Sequence, residues 1–254
     1  LQIFRALDYG HKKTFYVSRK ELATARHFNS LSIGEQVVTK KSSNTRKLEA
    51  EAHWLRHIPW ELQPFTARLI EDFDKPRDSG YRTLYCSFPT VAELYLGRAS
   101  RLVWHNILGS CLEFLHLATK HSKTDEPATL HWLVVGKLRI RLAKYPAHLP
   151  EADVSLSING EMVGTLAGIV THIERLIESA PIRTASIMHG DFCFSNMLFD
   201  FRCIRILLID PRGMIEDKIT LFGDTRYDVA KLGHSSICRL DLIVGGLLSA
   251  LHVW

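Results

Sequence analysis

The chain has 254 residues, of which 46% are hydrophobic and 23% charged, which is enough apolar content for a sizeable core and excludes a disorder-like composition. A net charge of +5, with Lys and Arg spread along the chain, speaks against a dedicated nucleic-acid surface. Five cysteines (Cys86, Cys111, Cys193, Cys203, Cys238) without paired spacing read as reduced cytosolic thiols, no signal peptide is visible, and the longest apolar stretch, 240–254, is too short and interrupted to span a bilayer.

In chain order, Gly10 sits between the strand-like residues of 8–16 and predicts a turn. The runs 28–33 and 37–40 flank Gly34-Glu35 and contain β-branched residues, which predicts a hairpin. Ser42 to Thr45 then offers N-cap candidates, and Leu48, Ala52 and Leu55 recur at helical spacing up to the break at Pro59. A strand lysine is thus followed by a helix glutamate. Side chains alternate across a strand, so Lys40 and Lys41 face opposite ways. Lys40, on the face of Val38, is favoured over Lys41, and Glu51, beside the core-like Ala52 and Leu55, over Glu49.

Residues 81–90, including Cys86 and Phe88, read as a strand running into a connecting hinge whose backbone edge offers a donor and an acceptor to a flat heterocycle. Helices are expected over 91–96, 102–119 (Leu108, Leu112, Leu115) and 163–179 (Leu166, Ile169, Ile173, Leu176), with loops over 120–129 and 145–160. The basic stretch 132–145, carrying Lys137, Arg139, Arg141 and Lys144, predicts a helix whose cations are either a solvated face or a contact for an anionic substrate.

The most informative segment follows. His189-Gly190-Asp191 leads to Asn196, and the apolar run 204–209 ends at Asp210-Pro211-Arg212-Gly213. An Asp with an Asn five residues on matches a kinase catalytic loop, in which the Asp takes or orients the acceptor hydroxyl and the Asn holds a metal. A second Asp at a strand end, before a glycine, can reach Mg²⁺ bridging nucleotide phosphates. Asp and Asn are also ordinary turn residues, so the weight lies in the whole constellation. Beyond it, Asp224 and Asp228 precede an apolar helix in the manner of an N-cap.

With His-Gly-Asp in place of His-Arg-Asp, the chain resembles the aminoglycoside phosphotransferase and choline kinase superfamily, over nearly its whole length. Within it, the chain looks closest to kinase-like domains of bacterial capsule and lipopolysaccharide gene clusters, through Asp8 to His11, Arg26 to Asn29, Lys40 to Ser43 and Ile209 to Gly213. The resemblance implies a two-lobed, protein-kinase-like α+β fold, with a small β-rich nucleotide-binding lobe over 1–88 and a larger, mainly helical catalytic lobe over 89–254. It makes Asp191 the catalytic base, with His189 bracing its loop, Asn196 and Asp210 the metal ligands, and Lys40, Glu51, Cys86, Phe88 and Gly10 the surroundings of ATP. Asp228 is implied to buttress the catalytic loop. The function implied is ATP- and Mg²⁺-dependent transfer to a small-molecule hydroxyl, of a sugar or polyol for surface polysaccharide, in the cytoplasm. Because some such domains follow a sugar nucleotidyltransferase domain, the start at Leu1 suits a piece of a longer chain. Alternatives are an aminoglycoside- or choline-type kinase, for which the acids Glu151, Asp153, Glu174 and Glu178 are too scattered to make a polycation pocket, and a catalytically silent binding module.

Overall fold

The expected hairpin forms as β1 (Asn29–Ile33) and β2 (Val37–Ser42), antiparallel, with the Gly34 amide donating to the Val37 carbonyl at 2.8 Å across the turn. The computed structural model describes residues 29–34, 36–73, 79–127, 130–144, 154–158 and 160–238. The turn at Gly10, the first part of the Arg26 to Asn29 motif and the apolar stretch 240–254 lie outside the described residues. The hairpin extends into a four-stranded antiparallel sheet of order β1-β2-β4-β3, where β3 is Leu69–Phe73 and β4 is Gly80–Leu84.

Helix α1 (Thr45–His57) is started by Asn44, whose side chain accepts from the Lys47 amide. That bond satisfies one of the amides a helix start leaves open. Its inward face, Leu48, Ala52 and Leu55 together with Ala50 and Trp54, is buried. One apolar cluster continues from this face through Phe65 to Ile107, Phe114, Phe192 and Phe199, across the expected lobe boundary at 88. The indole Nε1 of Trp54 donates to the Met188 carbonyl at 2.9 Å inside this core.

The larger part is mainly helical. It contains α2 (Val91–Leu96), opened by a capping box between Thr90 and Glu93, and α3 (Arg101–Lys120). The face α3 buries is Ile107, Cys111, Phe114 and Ala118, with Leu115 of the expected stripe beside them, whereas Leu108 and Leu112 of that stripe are exposed. Both stripes satisfy helical spacing, and the aromatic packing of Phe114 on Phe65 and Phe192 decides between them.

Two expected loops are partly strand. β5 (Ser122–Pro127) pairs with β8 (Thr184–Ile187), and β6 (Ser155–Ile158) forms a hairpin with β7 (Glu161–Thr165). β5 is polar and depends on a partner far along the chain, whereas Val154, Leu156 and Ile158 alternate with Ser155 and Ser157 ahead of Asn159-Gly160, a hairpin signal the loop reading passed over; Met162 and Val163 of β7 are exposed. The helix expected from 163 begins later, as α5 (Leu166–Glu178), because Gly164 sits at φ +88 and Thr165 is the cap. The basic segment is a π-turn, Trp132–Gly136, running into α4 (Lys137–Lys144). The hairpin β9 (Met197–Asp200) and β10 (Arg205–Leu208) follows the loop from His189 to Asn196, then come short strands β11 (Met214–Ile215), β12 (Lys218–Ile219) and β13 (Phe222–Gly223), and α6 (Thr225–Ser236). No helix among the described residues is long and apolar enough to cross a membrane, and all five cysteines are free thiols.

Gly213 lies directly against α1. It lies at φ +65, and a Cβ there would meet the Ala50 carbonyl oxygen of α1 at 2.0 Å. Gly213→Ala should therefore cost about 2–4 kcal/mol of unfolding free energy, from backbone strain plus forced separation of α1, measured by urea unfolding. A change below about 0.5 kcal/mol would mean that this contact is not formed.

Candidate active site

Lys40 lies opposite Tyr81 in the register of β2 and β4, and both side chains point to the face covered by α1. There the Lys40 Nζ donates to Glu51 Oε2 at 2.6 Å and to Asp210 Oδ1 at 2.9 Å, while the Tyr81 hydroxyl donates to the same Glu51 oxygen at 2.8 Å. Lys40 and Glu51 are 4% and 1% exposed, so this ion pair is out of water. Burial pulls the Lys40 ammonium down, but Asp210 and Glu51 more than offset it and hold its pKa above the usual lysine value. Burial raises the Glu51 carboxyl, against which Lys40 and, at 3.6 Å, Lys47 act. The competing candidates lie outside the network: Lys41 stacks over the Phe73 ring and Glu49 pairs with Arg46 at the surface.

The loop at 189–191 is built from its backbone. The amides of His189 and Gly190 donate to the two oxygens of Asp228 at 2.8 and 2.7 Å, and Arg212 donates back, its amide to the His189 carbonyl at 2.8 Å and its Nε to the Gly190 carbonyl at 3.1 Å. Asp228 is fully buried, and burial lifts its carboxyl to about 7 despite those two N–H bonds. The helix cap proper is Asp224, which accepts from the Arg226 amide, so Asp228 holds the loop rather than the helix end. Gly190 sits at φ +77, and a Cβ would stand 2.6 Å from the Arg212 Cβ, which accounts for the glycine between His and Asp.

His189 is completely buried. Its Nδ1 accepts from the Asp191 amide at 3.3 Å, which leaves Nε2 to donate to the Ile209 carbonyl at 3.1 Å. These bonds fix the neutral tautomer, and burial lowers the ring to about 4. The imidazole thus ties Asp191 to the residue before Asp210 and exposes no atom to a substrate.

The Asp191 carboxylate is held on both sides. Asn196 Nδ2 donates to its Oδ2 at 2.8 Å and to its backbone carbonyl at 3.0 Å, and Lys231 Nζ lies 2.8 Å from Oδ1. Burial favours the acid, yet Lys231 outweighs it and keeps the pKa below the usual aspartate value. Lys231 was not singled out from sequence. The available signal was its place three residues after Asp228, on the face of α6 that turns to the loop. Tyr81 was likewise missed as a bonding partner of Glu51.

Asn196 and Asp210 are joined through the Ile209 amide, which donates to the Asn196 carbonyl at 3.0 Å. Asp210 adopts φ +57, an uncommon backbone for a residue with a side chain, and its carboxylate is partly exposed. One carboxylate and one amide oxygen are hard donors, and Asn196 spends its NH₂ on Asp191, leaving its oxygen for another partner. Among the described residues there is no cluster of three His, Cys, Asp or Glu that could hold a metal unaided. This donor set fits Mg²⁺, which keeps several waters and takes phosphate oxygens, and does not fit a structural zinc. Cys86 and Phe88 lie in the half-buried connection between β4 and α2, where the Tyr85 amide donates to the Gln36 carbonyl, and Gly10 lies outside the described residues.

No family model and no curated protein matches the chain. Among solved structures it is similar to the apo form of a thermostable mutant of aminoglycoside phosphotransferase APH(4)-Ia, at 13% identity and a TM-score of 0.54, covering 88% of this chain and 77% of that one. It is also similar to a ternary complex of that enzyme with ADP and hygromycin B, at 12% identity and a TM-score of 0.54, covering 87% and 75%. At such identity the likeness is one of fold: the chain has the two-lobed, kinase-like α+β architecture, with a small strand-rich lobe and a larger helical one.

Removing Lys40 leaves Glu51 and the Tyr81 hydroxyl buried without their cation. Lys40→Ala should cost about 3 kcal/mol in urea unfolding, and Lys41→Ala, at a half-buried position outside the Lys40–Glu51 ion pair, clearly less. Equal effects would place the two lysines in similar surroundings.

The His189 ring charges near 6.5 when unfolded and near 4 when folded, so its stabilisation is present above about 6.5 and lost as pH falls toward 4. Between pH 7 and pH 4 the parent should lose roughly 2–3 kcal/mol more than His189→Asn. Parallel pH profiles of the two proteins would show that the ring titrates normally.

Proposed function

We propose that the protein is an ATP- and Mg²⁺-dependent phosphotransferase acting on a hydroxyl of a small molecule. The observation that carries this reading is the buried Lys40 ammonium bridging Glu51 and Asp210 in a kinase-like fold. Asn196 and Asp210 would hold Mg²⁺, which when bound neutralises charge on the nucleotide phosphates. Lys40, aimed by Glu51 and Tyr81, meets the phosphates as a point charge, and the segment 85–89 offers its backbone edge to the base.

Asp191 accepts the hydrogen bond of the acceptor hydroxyl and orients its oxygen toward the γ-phosphorus. The new O–P bond forms as the bond to the ADP oxygen breaks, and the hydroxyl proton leaves by way of Asp191 to water. A sugar or polyol acceptor, and a place in surface polysaccharide synthesis, are supported by the sequence motifs alone. ATP consumption measured across sugars, polyols, choline and aminoglycosides tests the activity, and no Mg²⁺-dependent ATP binding at all would leave a silent binding module.

Asp191→Asn keeps the size and the Asn196 contact but removes the charge that positions the hydroxyl. Turnover with the best acceptor should fall by roughly 10²–10⁴, with ATP affinity within a few-fold of the parent. Near-full turnover in that variant would remove Asp191 from the mechanism.

A further inference from the structure

Cations from three separate elements converge beside Asp191. Lys231 comes from α6, and Arg212 follows β10, its guanidinium 5.7 Å from the centroid of the Tyr227 ring. Lys137, at the start of α4, donates to the Tyr227 hydroxyl at 2.7 Å and lies 4.4 Å from the centroid of the same ring. Arg141 lies one turn further along α4. The carboxylates in this cluster, Asp191 and the buried Asp228, are already engaged, Asp191 by Lys231 and Asn196 and Asp228 by two backbone amides.

The group is short of negative charge. Burial brings the Lys137 ammonium down to about 7, and Arg212, Arg141 and Lys231 push the same way, with Asp191 opposing them. A single cation–π contact would account for one cation on Tyr227, but two share that ring from elements distant in sequence. Clefts lined by one sign of charge concentrate ligands of the other sign. Lys231 also removes an obstacle, since a bare Asp191 carboxylate would repel an incoming anion, and the ammonium at 2.8 Å cancels that charge.

We infer that the phosphoryl acceptor is itself anionic, a hydroxyl compound carrying a phosphate or carboxylate group that Lys137, with Arg141 and Arg212, receives while its hydroxyl meets Asp191. This rests on the phosphotransferase reading and narrows its substrate class: neutral polyols are poor acceptors and polycationic aminoglycosides are repelled.

The test titrates the full chain, loaded with Mg²⁺ and AMP-PNP, by calorimetry with matched probes: glycerol against glycerol 3-phosphate, glucose against glucose 6-phosphate and glucuronate, and kanamycin. The anionic member of each pair should bind at least ten-fold more tightly, with the phosphate and glucuronate arms separating the two anion chemistries. Lys137→Met should abolish most of that preference. Arg141→Met, at an exposed site where folding is not at risk, should reduce it several-fold. Equal binding of neutral and anionic probes, preference for kanamycin, or binding of none of them would overturn the inference. The nucleotide is titrated separately: failure to bind AMP-PNP with Mg²⁺ would sink the phosphotransferase reading, while anion preference without nucleotide binding would leave the anion site standing.

Discussion

An ammonium group taken out of water needs compensation close by, and Lys40 obtains it from two carboxylates that belong to different parts of the chain. Glu51 is supplied by the helix that follows the lysine, and Asp210 by the turn after β10. Desolvation of Lys40 and Glu51 costs several kcal/mol each, so an arrangement with Glu51 withdrawn is strongly disfavoured, while the partly exposed Asp210 adds a weaker, solvent-screened hold. The sheet of the small lobe, α1 and the turn at Asp210 are thereby locked to one mutual geometry. The apolar core alone does not impose this, because hydrophobic contacts tolerate sliding that an ion pair at 2.6 Å does not.

A second constraint acts on the loop that carries Asp191. Gly190 takes its positive φ freely, but Asp210 at φ +57 is a conformation that a residue with a side chain keeps only where surrounding bonds over-determine it. Here the bonds form a closed set: Asp228 takes two loop amides, Arg212 donates to two loop carbonyls, and the His189 ring joins the Asp191 amide to the Ile209 carbonyl. Because every one of these partners is buried or half-buried, the loop is held from behind while the Asp191 and Asp210 carboxylates face outward.

The local features of this site were legible in the sequence. Alternation on β2 separated Lys40 from Lys41, helical spacing marked the face of α1 beside Glu51, and the Asp, Asn, Asp order marked the loop and the following turn. Most of what escaped was non-local or had competing patterns, the exception being the local alternation and Asn-Gly step of the β6–β7 hairpin. On α3 two apolar stripes fit the same period, and only the aromatic partners of Phe114 choose between them. β5 is polar and gains its identity from β8, which lies beyond the intervening helices. Lys231 drew no reading, and Lys137 was one of four basic residues on a stretch read as either a solvated face or a contact for an anionic substrate, since nothing in one dimension says that α4 and α6 bring them to one aromatic ring and one carboxylate.

The same charges bear on how the proposed transfer would be accelerated. Lys231 and Asn196 keep Asp191 ionised and weakly basic, with a pKa below that of an ordinary aspartate. A base so weak gains little by pulling the proton away early, and a loose phosphoryl transition state places little negative demand on the attacking oxygen until late. The advantage of this arrangement is geometric: a carboxylate pinned by an amide and an ammonium can hold a hydroxyl in line without itself reorganising. Rate enhancement would then rest on fixed cations, Lys40 on the nucleotide side and Lys231 with Lys137 on the acceptor side. An Asp191 freed from Lys231 would be a stronger base in a worse position.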